Sequence, residues 1–123
     1  MKVRCVKLFD SSGLPQTASP WLTIGKLYDV LAIEFESQGR GLLRLIGDGR
    51  NGVALFPIEG FEIVSAAMPP SWVVSWDSGG FLQLAPERWT QPGFWERFYD
   101  REPAALAVFD EEVAQLNQSS ELR

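Results

Sequence analysis

Short apolar runs separated by glycine- and proline-rich turns fill the first half of this 123-residue chain and restrict its fold more than any other feature. Runs that end at Gly, Pro or Asn are typical of β-strands, and several in succession are typical of a small antiparallel barrel. We therefore predict an antiparallel β-barrel over residues 1–66. Its expected strands are 2–9, 21–36, 42–46, 53–56 and 61–64.

Three segments of this half resemble a known domain type. They are LTIGKLYDV at 22–30, RLIGDG at 44–49 and LFPIEGFEIV at 55–64. The first is similar to the "LTxGKxYxV" opening of small bacterial SH3-like barrel domains, and the other two are similar to strands that follow it there. The resemblance implies an SH3-like barrel for residues 1–66, a fold that hosts many unrelated binding roles.

The second half begins at Met68-Pro69-Pro70, because two consecutive prolines cannot continue a strand ladder. The runs 72–76 and 81–84 flank a glycine turn and predict a β-hairpin. Two helices follow. We expect Thr90 to cap the first and Pro103 to lie in the first turn of the second.

The predicted fold class is thus α+β. A five-stranded SH3-like antiparallel barrel (1–66) is followed by a β-hairpin and two C-terminal helices packed on it. Residues 67–123 form the hairpin and an acidic helical extension that makes one compact unit with the barrel. In the second helix an apolar stripe is expected to face the core, and Asp110, Glu111 and Glu112 fall off it, toward solvent. We expect residues 117–123 to fray.

The lack of histidine removes whole classes of chemistry. The chain has no His and one Cys, so it can build no Ser-His-Asp triad, no Cys-His dyad and no internal disulfide. A single cysteine is also too few for a cysteine-based zinc site. We predict a non-enzymatic protein with no catalytic residues, no metal and no cofactor.

The net charge of −5 is unevenly distributed. Residues 1–66 hold seven basic and seven acidic side chains, whereas residues 67–123 hold four basic and nine acidic ones. An acidic chain is repelled by phosphate backbones, so we expect no nucleic-acid partner and leave a basic protein partner open. The alternative is that the charge only keeps a solvated helix soluble.

The first ten residues contain Lys2, Arg4 and Lys7, which interrupt any apolar run of the kind that a secretory signal needs. No stretch approaches the length of a membrane helix. Together with the single cysteine, this predicts a soluble cytoplasmic protein without a membrane partner.

One glycine motif imitates a nucleotide-binding loop. Residues 47–52, GDGRNG, match G-x-G-x-x-G, but a dinucleotide site needs a helix after the motif and here a strand, 53–56, follows. We interpret it as a hairpin turn.

Isolated carboxylates and Cys5 are the remaining candidates for chemistry. Glu34 and Glu36 lie two apart on one strand, where a pair could act as acid and base, but a solvated strand end explains them as well. Glu96 and Asp100 lie one helical turn apart, too few ligands for a metal, and we expect them on a charged outer face. Cys5 is expected to be buried and structural.

Aromatic residues are the densest feature of the second half, and they serve either as a second core or as an exposed interface. Trp72 and Trp76 are four apart in a strand and so point the same way. The candidate interface residues are Trp72, Trp76, Trp89, Trp95, Tyr99, Asp100, Asp110, Glu111 and Glu112.

The favoured function is a non-enzymatic protein-binding module. An SH3-like barrel with an acidic helical tail reading PGFWERFYD at 92–100 resembles small cytoplasmic immunity proteins of bacterial toxin systems. That resemblance implies a basic toxin as partner, held by charge complementarity. Two alternatives stay open. One is a homodimeric or larger self-associating structural or regulatory protein, and the other is a small enzyme that uses Glu34, Glu36 or Asp48.

Overall fold

The computed structural model describes residues 1–49 and 52–121, with the backbone alone for 118–121. Its helices are α1 (Phe94–Tyr99) and α2 (Pro103–Glu121), and short 3₁₀ helices lie at Ile58–Gly60 and Glu87–Trp89. The strands are β1 (Lys2–Cys5), β2 (Leu8–Phe9), β3 (Pro15–Gln16), β4 (Leu27–Asp29), β5 (Ala32–Phe35), β6 (Gly41–Ile46), β7 (Val53–Pro57), β8 (Phe61–Ser65), β9 (Trp72–Trp76) and β10 (Leu82–Pro86).

The strands form open antiparallel sheets. The largest has the order β7-β6-β5-β10-β9, the second has the order β4-β1-β8, and β2 pairs with β3 alone. The α+β class with two C-terminal helices is therefore confirmed. The predicted five-stranded barrel over residues 1–66 is wrong, because the free edge of β5 pairs with β10 of the hairpin instead of returning to an N-terminal strand.

The long apolar run at 21–36 is where the prediction of a barrel fails. It does not form one strand but passes from one sheet to the other between β4 and β5. At the crossing the Val30 N–H donates to the Met1 carbonyl at 3.0 Å, and the Leu31 N–H donates to the Arg44 carbonyl at 2.9 Å. Successive residues thus bond to different sheets, and the crossing has buried side chains on both sides.

One hydrophobic cluster joins both sheets and both helices. Trp89 is fully buried at its centre, stacked on Phe109 of α2 with ring centroids 5.2 Å apart and on Phe94 at 6.5 Å. Trp95 meets Trp89 edge-on at 5.5 Å. Aromatic pairs of this geometry add to the burial of their area. The 3₁₀ turn and the two helices are therefore fixed against the sheet by aromatic packing.

The helix starts agree only in part with expectation. Pro103 begins α2 as predicted, but Thr90 does not cap α1. The Thr90 hydroxyl donates instead to the Glu87 carbonyl at 2.7 Å, closing the 3₁₀ turn, and Gly93 precedes α1 with a φ of +76°. A left-handed residue is easiest for glycine, so this glycine sets where α1 begins.

Two predictions reach the limits of the described residues. Helix α2 continues to Glu121, past the point where fraying was expected, and residues 122–123 lie outside the described part. Residues 50–51 of the predicted 47–52 turn also lie outside it. The strands on either side pair antiparallel, with Ile46 opposite Val53, so a strand does follow the glycine motif.

Candidate binding groove at the β9 edge

Four strands form the outer edges of the two larger sheets. Edge strands expose unpaired backbone groups, and proteins usually protect them with charged residues or proline. In the described part of the chain, β4 carries Asp29, β8 carries Glu62 and β7 ends in Pro57. Strand β9 reads Trp-Val-Val-Ser-Trp and has neither kind of protection. It is thus a free edge onto which another strand can pair.

The side chains of β9 are unusually exposed for their apolar character. Val74 is 54% exposed and Trp76 is 73% exposed, whereas Trp72 on the same face is buried. The exposed part of the strand therefore lies at its C-terminal half, next to the Asp77 turn.

A groove of about 740 Å³ lies beside this half of β9, between the sheet and the segment 90–96. We call it the β9 groove. Ser75, Gln83 and Glu34 lie opposite one another on neighbouring strands β9, β10 and β5, so they form one row on the same face of the sheet. This row runs from the free edge into the groove.

A buried ion pair lies at the inner end of the row. Arg44 Nε and Nη2 both donate to Glu34 Oε2, at 2.9 and 2.5 Å, and both side chains are almost wholly buried. Burying charges is costly unless they are paired and hydrogen-bonded. This pair satisfies that condition, so Arg44 has little capacity left for a second anion.

Helix α1 completes the surroundings of Arg44. The guanidinium carbon lies 3.7 Å from the centroid of the Trp95 ring, a cation–π arrangement. Arg44 Nη1 donates to the Tyr99 hydroxyl at 2.9 Å, and that hydroxyl donates to the Val53 carbonyl at 2.9 Å. Burial raises the pKa of Tyr99 above its ordinary value. Tyr99 therefore stays protonated and joins α1 to both β6 and β7.

Three buried polar atoms of the groove-lining residues have no hydrogen-bond partner within the described part of the chain. They are Gln83 Oε1, an acceptor, and the indole nitrogens of Trp89 and Trp95, both donors. Buried polar atoms in native proteins are nearly always paired, so each orphan needs an explanation. Of the three residues, Gln83 lies next to Ser75 in the row, whereas Trp89 is fully buried in the aromatic core.

Two exposed carboxylates give the groove its charge. Glu34 and Arg44 cancel each other, which leaves Asp77 and Glu96. Asp77 Oδ1 accepts from the backbone N–H groups of Gly79 and Phe81, at 2.9 and 3.2 Å. The groove is therefore acidic.

The predicted interface residues separate into three groups. Trp76, Tyr99, Asp100, Asp110 and Glu111 are exposed, Trp95 is half-buried, and Trp72, Trp89 and Glu112 are buried. The expectation that Glu112 faces solvent is wrong. It is 6% exposed, and its Oε1 lies 3.5 Å from Arg88 Nη1, while Arg88 Nη2 binds Glu111 at 2.7 Å. The structure brings Trp76, Trp89 and Trp95 to the β9 groove.

The carboxylates proposed as an acid–base pair do not come together. Glu34 is buried against Arg44, so the expected solvated strand end is wrong for it, while Glu36 lies beyond β5 and is exposed. Within residues 1–49 and 52–121, no three or more His, Cys, Asp or Glu side chains are grouped to hold a metal ion.

Asp48 and Cys5 have structural surroundings. Asp48 Oδ2 accepts from the Thr23 hydroxyl at 2.7 Å, and Oδ1 accepts from Lys26 Nζ and the Tyr28 hydroxyl, at 2.5 and 3.0 Å. These bonds, first with Lys26 and then with Thr23, hold the pKa of Asp48 below its ordinary value. Burial, with a smaller contribution from the Asp48 charge, raises the pKa of Cys5, which is fully buried. A thiol in this setting is a poor nucleophile.

Sequence reasoning missed Arg44 and Gln83. A usable signal was present for Arg44: a single arginine within the apolar run Leu42–Ile46 must find a buried carboxylate. Glu34 in the neighbouring strand has the same pattern. Gln83 gave no such signal, because its position depends on the pairing of β10 with β5.

Comparisons with protein-family models, with curated proteins and with solved structures find no match for this chain. None of the helices in the described residues is long and apolar enough to span a membrane.

Proposed function

We propose that this chain is a non-enzymatic protein-binding module that takes an extended segment of a partner protein onto strand β9. Strand addition at an open sheet edge is a general mode of peptide recognition, in which main-chain hydrogen bonds give affinity and alternate side chains give specificity. The observation that carries the proposal is the lack of charge and proline in β9, combined with the exposure of Val74 and Trp76.

The two faces of β9 offer different contacts to such a segment. Val74 and Trp76 lie on one face and supply exposed apolar surface, of the kind that dominates interface energetics. Ser75 lies on the other face, at the mouth of the acidic β9 groove. An added strand would meet apolar side chains on one face and polar ones on the other.

Charge favours a basic partner. Residues 67–123, which contain β9 and most of the residues that line the groove, carry the whole net charge of −5. The sequence resemblance to immunity proteins of bacterial toxin systems agrees with this charge, and within the proposal the partner is a basic toxin neutralised in the cytoplasm. A second copy of the chain is disfavoured as occupant, because two β9 edges would bring two acidic halves together.

Edge-dependent capture tests the proposal. The immobilised chain is incubated with lysate of the native source, and proteins that bind in stoichiometric amounts are compared among three forms: wild type, Val74→Lys and Ile63→Lys. A lysine at the centre of β9 opposes strand addition, as edge lysines do in natural sheets. Ile63 is 65% exposed on β8 and serves as the matched control.

We expect a partner that binds wild type and Ile63→Lys and does not bind Val74→Lys. The free energies of unfolding of the three forms should agree within about 0.5 kcal/mol. A partner that all three retain, or no stoichiometric partner at all, contradicts the proposal. So does light scattering that shows a wild-type dimer and a Val74→Lys monomer, because the occupant of β9 is then a second copy.

A further inference from the structure

We propose that the β9 groove selects a lysine or arginine side chain at one fixed position of the segment added to β9. This rests on the proposed function, since the segment must first pair with β9. Ser75, Gln83 and Glu34 continue as one row across the sheet. Because directly opposite residues share a face, the partner residue that pairs with Ser75 extends this row at the mouth of the groove.

The groove accepts positive charge and offers none of its own for an anion. Arg44 is committed to Glu34, Tyr99 and Trp95, as described above. In the described part of the chain, Asp77 and Glu96 have no ion-pair partner within 4.0 Å. Arg97, the nearest other cation along α1, donates to the Pro92 carbonyl at 3.1 Å. A carboxylate or phosphate would meet repulsion here, and an ammonium or guanidinium would not.

Gln83 adds a hydrogen-bond acceptor at the correct place. Its Oε1 is buried and has no partner among the residues that the structure describes, and the residue lies next to Ser75 in the row. Lysine and arginine carry donors only, so their head groups match an unpaired acceptor. An acidic or purely apolar side chain would leave Gln83 Oε1 unpaired.

Aromatic surfaces line the same space. Trp95 already holds one guanidinium at 3.7 Å from its ring centroid, which is the Arg44 side chain. Tryptophan is the most favourable aromatic partner for a cation, and this contact is an example of an indole ring that binds a guanidinium in the groove.

The exposed side chains of Val74 and Trp76 indicate a peptide instead of a small cation. A peptide supplies both the basic head group and apolar side chains for the other face of β9. The ligand class is therefore an extended segment with a basic residue facing the groove and apolar residues facing Val74 and Trp76.

Selection from a phage-displayed library of random dodecapeptides, panned on the full chain, tests this inference. We expect enriched peptides with alternating apolar residues and lysine or arginine at one aligned position. The best peptide is then synthesised with lysine, norleucine or glutamate at that position. Norleucine removes the head group and keeps the stem, and we expect it to weaken binding about tenfold, with glutamate weaker still.

Matched protein variants locate the selectivity. Gln83→Leu should weaken the lysine peptide about tenfold, and Glu96→Gln about two- to fivefold, with little change for the norleucine peptide. Glu59→Gln, an exposed carboxylate outside the groove, should change neither. Added salt should weaken only the lysine peptide.

The outcomes separate the two proposals. Peptides that lose binding in Val74→Lys but tolerate norleucine or glutamate overturn the inference and leave strand addition standing. Peptides that bind Val74→Lys as well as wild type, or a library that yields no enrichment, overturn both.

Discussion

The two outer strands of the five-stranded sheet are protected in opposite ways. Strand β7 ends in Pro57, which has no N–H, and its Val53 carbonyl accepts the Tyr99 hydroxyl at 2.9 Å. Strand β9 has no proline, no charge and no side chain of α1 bonded to its backbone among the described contacts. Helix α1 therefore binds the backbone of one edge strand of the sheet and leaves the other edge strand open.

The turn before β7 and the turn after β9 also differ in how firmly they are bound to the rest of the protein. Asp48, before β7, binds the distant residues Thr23, Lys26 and Tyr28. Asp77, after β9, accepts hydrogen bonds from the backbone of its own turn, at Gly79 and Phe81. The β7 side is thus tied to the rest of the molecule, whereas the β9 turn is a local structure. A functional edge gains from such independence, since the partner can adjust it without disturbing the core.

Arg44→Ala should have the largest effect on the protected side. It leaves Glu34 buried without a partner and removes the donor to Tyr99, so we expect the free energy of unfolding to fall by about 3–5 kcal/mol. Denaturant unfolding measures this. The double variant Glu34→Leu/Arg44→Met removes both charges and should recover most of the loss. A single variant within about 1 kcal/mol of wild type would show that the pair does not hold α1 on β6 and β7.

Asp48→Asn should lower the free energy of unfolding by less, about 1–2 kcal/mol at neutral pH, because the lost hydrogen bonds are partly exposed. The pKa of Asp48 is held below its ordinary value, so its ionised form stabilises the fold above about pH 4. That stabilisation is lost as pH falls through the lowered pKa of the folded state.

Unfolding of wild type and Asp48→Asn at a series of pH values tests the sign. The two curves should converge as the pH decreases toward 2, and a difference that stays constant would refute the assignment. Asp77→Asn is the matched change on the β9 side, and we expect it to alter stability by less than about 0.5 kcal/mol.

Tyr99→Phe should lower the free energy of unfolding by about 1 kcal/mol, less than Arg44→Ala or Asp48→Asn, since it removes one hydroxyl and leaves the ring in place. The Val53 carbonyl then loses its protein donor. Amide hydrogen exchange should increase along β7 and stay unchanged along β9. Equal increases in amide exchange along β7 and β9 would mean that α1 does not stabilise β7 more than β9.

The sequence predicted local elements well and long-range pairing poorly. Glycine turns placed β6 and β7, and Pro103 placed the start of α2, because these signals act within a few residues. The barrel was a wrong inference, since nothing within residues 1–66 reveals that β5 pairs with β10. The groove could not be predicted for the same reason, because it depends on the pairing of β5 with β10. Trp76 was identified as an interface candidate, but Gln83 and Arg44 gain their roles only from the register of β10, β5 and β6.

The pairing of Ile33 with Leu84 also determines when the sheet can form. Strand β5 lies at the centre of the five-stranded sheet, yet β10, one of its two neighbours there, follows it only much later in the chain. Closing that loop costs entropy before any contact repays it, so folding is expected to be slow relative to helical proteins of this size. During synthesis, β5 and β6 emerge with an unpaired apolar edge until β10 follows. The order in which the chain is made therefore creates a transient need for protection against aggregation at β5, which the finished protein no longer has.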